Sequence, residues 1–166
     1  MEEKLSYHVV FTTHNSRTSK RMIKYKVKKG PPLILNYLEE LQLTKIIKYI
    51  VQKYKIHIDS YNICKDHMHL LLFCTEEKLP KVVRILKSVS SLLLFPNEPL
   101  WSQKFFSLDC NTFDFCSSID MAGFDRNSRH YTNAIAYIQR NRIKHGLFDC
   151  LELKEIINSF CAIKRE

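Results

Sequence analysis

The sequence predicts an α+β fold: a ferredoxin-like split β-α-β-β-α-β core with an antiparallel sheet and additional C-terminal helices. Three observations carry the prediction. Segments rich in β-branched and aromatic residues recur along the chain, each short enough to be a strand. Longer segments between them carry apolar residues at near-helical spacing. The second and third strand candidates are separated by Lys65-Asp66 alone, which reads as a hairpin. With 166 residues, the chain has the length of one domain, 1–166, with a C-terminal helix (about 150–166) appended.

Leu5–Thr13 (LSYHVVFTT) reads as the first strand. The basic stretch Asn15–Gly30 follows as a loop or extended hairpin. Pro31-Pro32 is then expected to open a helix over Leu33–Tyr54, because a proline's missing N–H is unpaired at a helix start in any case. Leu38, Leu41, Ile46, Ile50 and Tyr54 form its apolar stripe. Ile56–Cys64 and His67–Cys74 are the hairpin strands. Leu79–Phe95 is helical, with Val82, Val83, Leu86, Val89 and Leu93 on one side, and Pro96–Pro99 ends it. Lys104–Asp109 is a short strand candidate, and Cys110–Ser128, lacking a period, reads as a loop. Tyr131–His145 is helical with Gly146 where a C-cap belongs. Leu153–Ile163 places Leu153, Ile156, Ile157 and Phe160 on a last helix face, free to pack on this sheet or on a partner.

Composition narrows the function. Hydrophobic residues make up 45% of the chain and aromatics 11%, which excludes a disordered chain. The three glycines, Gly30, Gly123 and Gly146, are too far apart to build either standard glycine-rich phosphate cradle. No apolar run approaches the roughly 18 residues of a membrane span. Met1-Glu2-Glu3-Lys4 is followed by no apolar signal-peptide region, so a cytoplasmic protein with reduced thiols is expected. No two of the six cysteines form a CxxC pair, and a zinc site would have to be assembled from scattered ones. The net charge is +9. Its bases concentrate in Arg17, Lys20, Arg21, Lys24, Lys26, Lys28 and Lys29, uninterrupted by any acid, with a second group at Arg140, Arg142, Lys144 and His145. Such clusters attract polyanions, nucleic acid among them, though a solvated loop has the same composition.

Two constellations bear on chemistry. In Asp66-His67-Met68-His69-Leu70 the two histidines lie two apart, so on a strand both imidazoles face one side. The pair is a natural start for a metal site, and equally an ordinary structural pair. In Tyr137-Ile138-Gln139-Arg140-Asn141 the tyrosine and asparagine share a helix face at i and i+4. A tyrosine hydroxyl can act as a covalent nucleophile, and an asparagine oxygen could join the histidines; a buried helical tyrosine beside an incidental asparagine is the plainer reading.

Their combination, His-hydrophobic-His on a strand followed by a tyrosine-bearing helix, resembles the HUH endonucleases. It is similar to the single-tyrosine transposases of insertion sequences, the REP-associated tyrosine transposases in particular. Tyr7-His8-Val9-Val10-Phe11 resembles the family's first strand, and Asp66-His67-Met68-His69-Leu70-Leu71 its metal strand. Leu86-Lys87-Ser88 resembles its lysine-bearing helix, and Trp101 with Phe105-Phe106 the segment before its last strand. Tyr137-Ile138-x-x-Asn141 with Lys144-His145-Gly146-Leu147 resembles its tyrosine helix. The resemblance spans about Leu5 to Leu147. Arg142 stands where the family commonly has a proline, and Cys110–Arg126 looks like an insertion.

The resemblance implies a metal-dependent nuclease and strand transferase acting on single-stranded DNA near a hairpin. His67, His69 and Asn141 would hold a divalent cation, Mg²⁺ or Mn²⁺, although two imidazoles alone would also tolerate zinc or nickel. Tyr137 would attack phosphorus, forming a 5′-phosphotyrosine and a free 3′-hydroxyl without any nucleotide cofactor. Tyr131 is a rival, but its i+4 neighbour, Ile135, cannot ligate a metal. DNA contacts are expected from Arg17, Lys20, Arg21, Lys24, Lys26, Lys87, Arg140 and Arg142, with Tyr25 stacking on unpaired bases. The family includes monomers and homodimers, and both stay open. The alternatives are a domesticated, catalytically inactive hairpin-DNA-binding protein and an RNA-binding or RNA-processing ferredoxin-like domain.

Overall fold

A computed structural model describes residues 4–110 and 126–165. Strand β1 (Leu5–Thr12) is followed by the short helix α1 (Lys20–Lys24), α2 (Tyr37–Tyr54), and the hairpin strands β2 (Ile58–Cys64) and β3 (His67–Cys74). Then come α3 (Leu79–Leu94), β4 (Phe106–Asp109), α4 (Arg126–Lys144) and α5 (Leu151–Asn158). The sheet order is β2-β3-β1-β4, and every pairing is antiparallel. This is the split β-α-β arrangement that the element order predicts.

Strand parity sorts the side chains onto two faces. Tyr7, Val9 and Phe11 of β1, Tyr61 and Ile63 of β2, and Met68, Leu70 and Leu72 of β3 enter the main core. There they meet Leu43, Ile47 and Ile50 of α2, Val83 and Leu86 of α3, and Leu153 and Ile157 of α5. The opposite face carries His8, Asn62, Cys64, His67, His69 and Leu71. Helix α4 covers it through Ala134 and Ile138, which pack with Leu71 and Cys110. Asn62 ties the two layers together, its amide donating to the Ile138 carbonyl at 2.7 Å.

Several local expectations are corrected. Helix α2 starts at Tyr37 and not after Pro31-Pro32. Asn36 accepts from the Glu39 N–H while Glu39 accepts from the Asn36 N–H, and this reciprocal cap outcompetes a proline start. Leu33 and Leu35 run as loop, bonded to the backbones of His14 and Lys65. The stripe turns accordingly: Leu43 and Ile47 are buried, whereas Leu38 and Tyr54 are exposed. The basic stretch contains α1, capped by the Ser19 hydroxyl. Helix α4 begins at Arg126, ahead of Tyr131, and most of the expected Cys110–Ser128 loop and insertion lies outside the described residues. Gly146 does end α4: it has φ +66°, its N–H donates to Ile143, and Leu147 N–H reaches back to Arg142, a Schellman cap. Helix α5 ends at Asn158, earlier than expected, and packs on its own chain, with Phe160 edge-to-face on Tyr61. Among the described residues no helix is long and apolar enough to cross a membrane.

Candidate functional site

The hairpin turn at Lys65-Asp66 sets one wall of the site. Cross-strand pairing puts Cys64 opposite His67 and Asn62 opposite His69. On the other side, β1 places Val10 opposite His69 and His8 one step along, opposite Leu71. Helix α4 closes the site from above. Tyr137, Asn141 and His145 follow at i, i+4 and i+8, so one helix stripe faces the histidines.

The expected residues meet. His67 Nε2 lies 3.0 Å from Asn141 Oδ1, and the His67 and His69 ring centroids are 5.0 Å apart. The Tyr137 ring is edge-on to His69 at 5.5 Å and to His8 at 5.9 Å. Tyr137 is 43% exposed, open to a substrate arriving from solvent. Lys144 Nζ sits 4.9 Å from the centroid of its ring and adds positive charge at the approach. The rival Tyr131 packs against the Leu71, Cys110, Ala134 and Ile138 cluster. Burial and a hydrogen bond with the Asp59 carboxylate push its phenol upward, away from nucleophilic use.

Four further residues shape the site without having been given a role from sequence. Asp66 Oδ1 accepts from His67 Nδ1 at 2.6 Å, and Arg17 pairs with the same carboxylate at 3.3 Å. His8 Nε2 and His69 Nδ1 share a hydrogen bond of 2.9 Å. Cys64 donates its S–H to Asn141 Oδ1 at 3.0 Å. The His145 ring stands 4.9 Å from that of His67. Two signals in the sequence could have found two of these neighbours: the cysteine and histidine flanking a two-residue turn, and the continuation of the Tyr137–Asn141 spacing to 145.

Burial governs the electrostatics. It holds His69 at about 3, with His67, His8, His145 and Lys144 adding positive neighbours that oppose a further proton. Burial also lowers His8, and burial followed by the His67 charge lowers His145. His8, His69 and His145 therefore favour the neutral form, the form that ligates a metal. The Cys64 thiol is pushed up to about 12 by burial.

The donor set fits a cation. Asp66 takes the Nδ1–H of His67, which leaves Nε2 with its lone pair in the neutral ring. That lone pair faces the Asn141 carbonyl oxygen, also electron-rich, at 3.0 Å. The His69 Nε2 takes part in none of these hydrogen bonds. Asn141 is fully buried, yet its Nδ2 has no partner. A buried N–H left unpaired marks room for an acceptor, such as a water of a cation's shell.

The bases divide. Arg17, Lys20, Arg21, Lys24, Lys26 and Arg140 are exposed. Arg142, expected at the DNA, is instead buried at 2% exposure. Its guanidinium donates to Glu40 at 2.7 Å, to the Ile63 carbonyl at 2.7 Å and to the Phe148 carbonyl. An Arg fork buried at 2% exposure with four of its five donors bonded internally holds α4 to the fold and is not presented to a phosphate. Lys87 also turns inward, its ammonium binding the carbonyls of Ser102 and Gln103.

Comparison with known proteins agrees with this architecture. Residues 2–114 match the sequence model described as "Transposase IS200 like". That stretch contains the whole sheet and the two strand histidines but stops before α4. No curated protein matches the chain. The fold is similar to that in "Structure of the REP associates tyrosine transposase bound to a REP hairpin". There the TM-score is 0.54 at 14% identity, covering 89% of this chain and 73% of the other. A putative transposase from Deinococcus radiodurans R1 superposes with TM-score 0.47 at 21% identity, covering 81% of this chain and 93% of the other.

Proposed function

The chain belongs to the IS200-like transposase family, and from that membership we propose that it is a metal-dependent single-stranded DNA endonuclease and strand transferase that forms a 5′-phosphotyrosine at Tyr137 beside DNA hairpins. One observation carries the reading: the strand histidines and the Tyr137–Asn141 helix face, far apart in sequence, converge on one site open to solvent at the tyrosine.

His67, His69 and Asn141 would hold one divalent cation, Mg²⁺ or Mn²⁺, which when bound supplies Lewis-acid polarisation of the scissile phosphate. Asp66 orients His67 through Nδ1, and His8 does the same for His69. Tyr137 Oη attacks phosphorus, the bond to the 3′-oxygen breaks, and the released 3′-oxygen ends as a hydroxyl. One phosphodiester replaces another, so the strand can be rejoined by the reverse attack without a nucleotide cofactor. Arg17, Lys20, Arg21, Lys24, Lys26 and Arg140 contact phosphates. Tyr25, 62% exposed, stacks on an unpaired base. Arg17 links the basic segment to the site through its ion pair with Asp66, the carboxylate that orients His67. The hairpin-bound neighbour of similar fold supports a hairpin partner for this chain as well.

The test is covalent capture. The protein is incubated with end-labelled single-stranded DNA from beside its own gene, with Mn²⁺ or Mg²⁺, and run on a denaturing gel. A shifted band that disappears in Tyr137→Phe and in His67→Ala is expected. A band that persists in Tyr137→Phe refutes the nucleophile. No band, with native-gel binding retained, makes the protein an inactive hairpin binder.

A further inference from the structure

Cys64 and His67 are cross-strand partners at the mouth of the β2–β3 hairpin. His145 reaches the same place from just beyond the end of α4. The ligand atoms of these three residues all lie within 4.8 Å of one another. A tetrahedral zinc ion, with sulfur at about 2.3 Å and nitrogens at about 2.0–2.1 Å, needs its ligand atoms about 3.3–3.6 Å apart. The required closure is about an ångström, and His145, exposed on the turn after the helix, is the ligand able to swing in. The other two are already set. Asp66 holds His67 Nδ1 at 2.6 Å, the carboxylate–histidine arrangement that aims a ring at a metal. Cys64 Sγ and His67 Nε2 each lie 3.0 Å from Asn141 Oδ1, so they converge. An independent sign comes from Asn141 itself, fully buried between them with Nδ2 unpartnered. A water or hydroxide completing a zinc shell would accept from that N–H.

We propose that Cys64, His67 and His145 form a binding site for a soft divalent cation, Zn²⁺ by the chemistry of its ligands, which competes for His67 with the harder cation of the cleavage site. A thiolate with two imidazoles suits Zn²⁺ and disfavours Mg²⁺. On binding, the cysteine sulfur bonds the cation and its proton leaves to solvent; no electron is transferred. The metal site stands on its own ligands, and only the competition rests on the transposase reading. Zinc bound here withdraws His67 from His69, so it switches cleavage off.

The experiment uses the full chain and Co²⁺ as a spectroscopic stand-in for Zn²⁺. Wild type is expected to show a near-ultraviolet sulfur-to-cobalt charge-transfer band that Zn²⁺ erases. Cys64→Ser removes the band, and His145→Ala weakens Zn²⁺ binding by about tenfold or more. Because His145 is exposed, that variant tests the site even if Cys64→Ser misfolds. Mn²⁺ paramagnetic resonance reports the competition: Zn²⁺ displaces Mn²⁺ from wild type at a lower concentration than from Cys64→Ser, where only direct exchange at the histidine pair remains. A wild type without the band, a band that survives in a folded Cys64→Ser, or unchanged Zn²⁺ affinity in His145→Ala overturns the proposal. A band with no DNA adduct leaves the zinc site standing and refutes the transposase reading, and an adduct with no band does the reverse.

Discussion

His69 shows at the scale of one residue how burial tunes this site. In the unfolded chain it binds a proton near its ordinary 6.5, in the fold only near about 3. Between those values the unfolded chain holds more protons, so stability falls as the pH drops from about 6.5 toward 3. Urea unfolding at about pH 7 and about pH 5 should show lower stability at the acid value, and His69→Gln should flatten the difference. The two tyrosines make the second residue-scale case. Tyr131→Phe should leave the covalent adduct intact in the labelling assay, since its ring lies in the apolar cluster under α4, whereas Tyr137→Phe should abolish it.

Helix α4 carries half the site, and two contacts fix its C-terminal end. The Arg142–Glu40 pair is buried on both sides, at 2% and 3% side-chain exposure. Burial raises the Glu40 carboxyl against the pull of Arg142, so the pair is costly to hold and costlier to break. Arg142→Ala should destabilise the protein by about 3–5 kcal/mol in chemical denaturation, because it strands the Glu40 charge. The paired change Arg142→Met with Glu40→Leu should recover much of that loss. Gly146 has nothing within 4 Å of where a Cβ would lie, so only its φ of +66° opposes substitution. Gly146→Ala should therefore cost about 1–2 kcal/mol, read as a lower unfolding midpoint.

For the whole molecule, the charge of +9 is a statement about encounter with a polyanion. Arg17, Lys20, Arg21, Lys24 and Lys26 are all exposed on one segment next to the site. If each of these and Arg140 neutralises one phosphate of a single strand, log Kd against log salt has a slope of magnitude about 4. Replacing Lys24 and Lys26 by alanine should reduce it by about 1.4 in fluorescence-anisotropy titrations. A salt-insensitive affinity would remove the basic segment from the interface.

The strands, the hairpin and the antiparallel fold class were legible in the sequence because they rest on local regularities: side-chain alternation, turn length and helical spacing. The same regularities put His67 and His69 on one strand face, and Tyr137 and Asn141 on one helix face. Asn36 shows where such signals conflict, its reciprocal cap with Glu39 prevailing over the more conspicuous Pro31-Pro32. Arg142 shows where they are silent: nothing near it in sequence announces a buried Glu40 more than a hundred positions away. The tertiary structure alone decided which bases face solvent and that Cys64 and His145 meet at His67, whereas the i+4 neighbours Asn141 and Ile135 had already favoured Tyr137 over Tyr131. Periodicity tells which way a side chain leaves its own element, and only the packing of α4 on the sheet determines what it meets there.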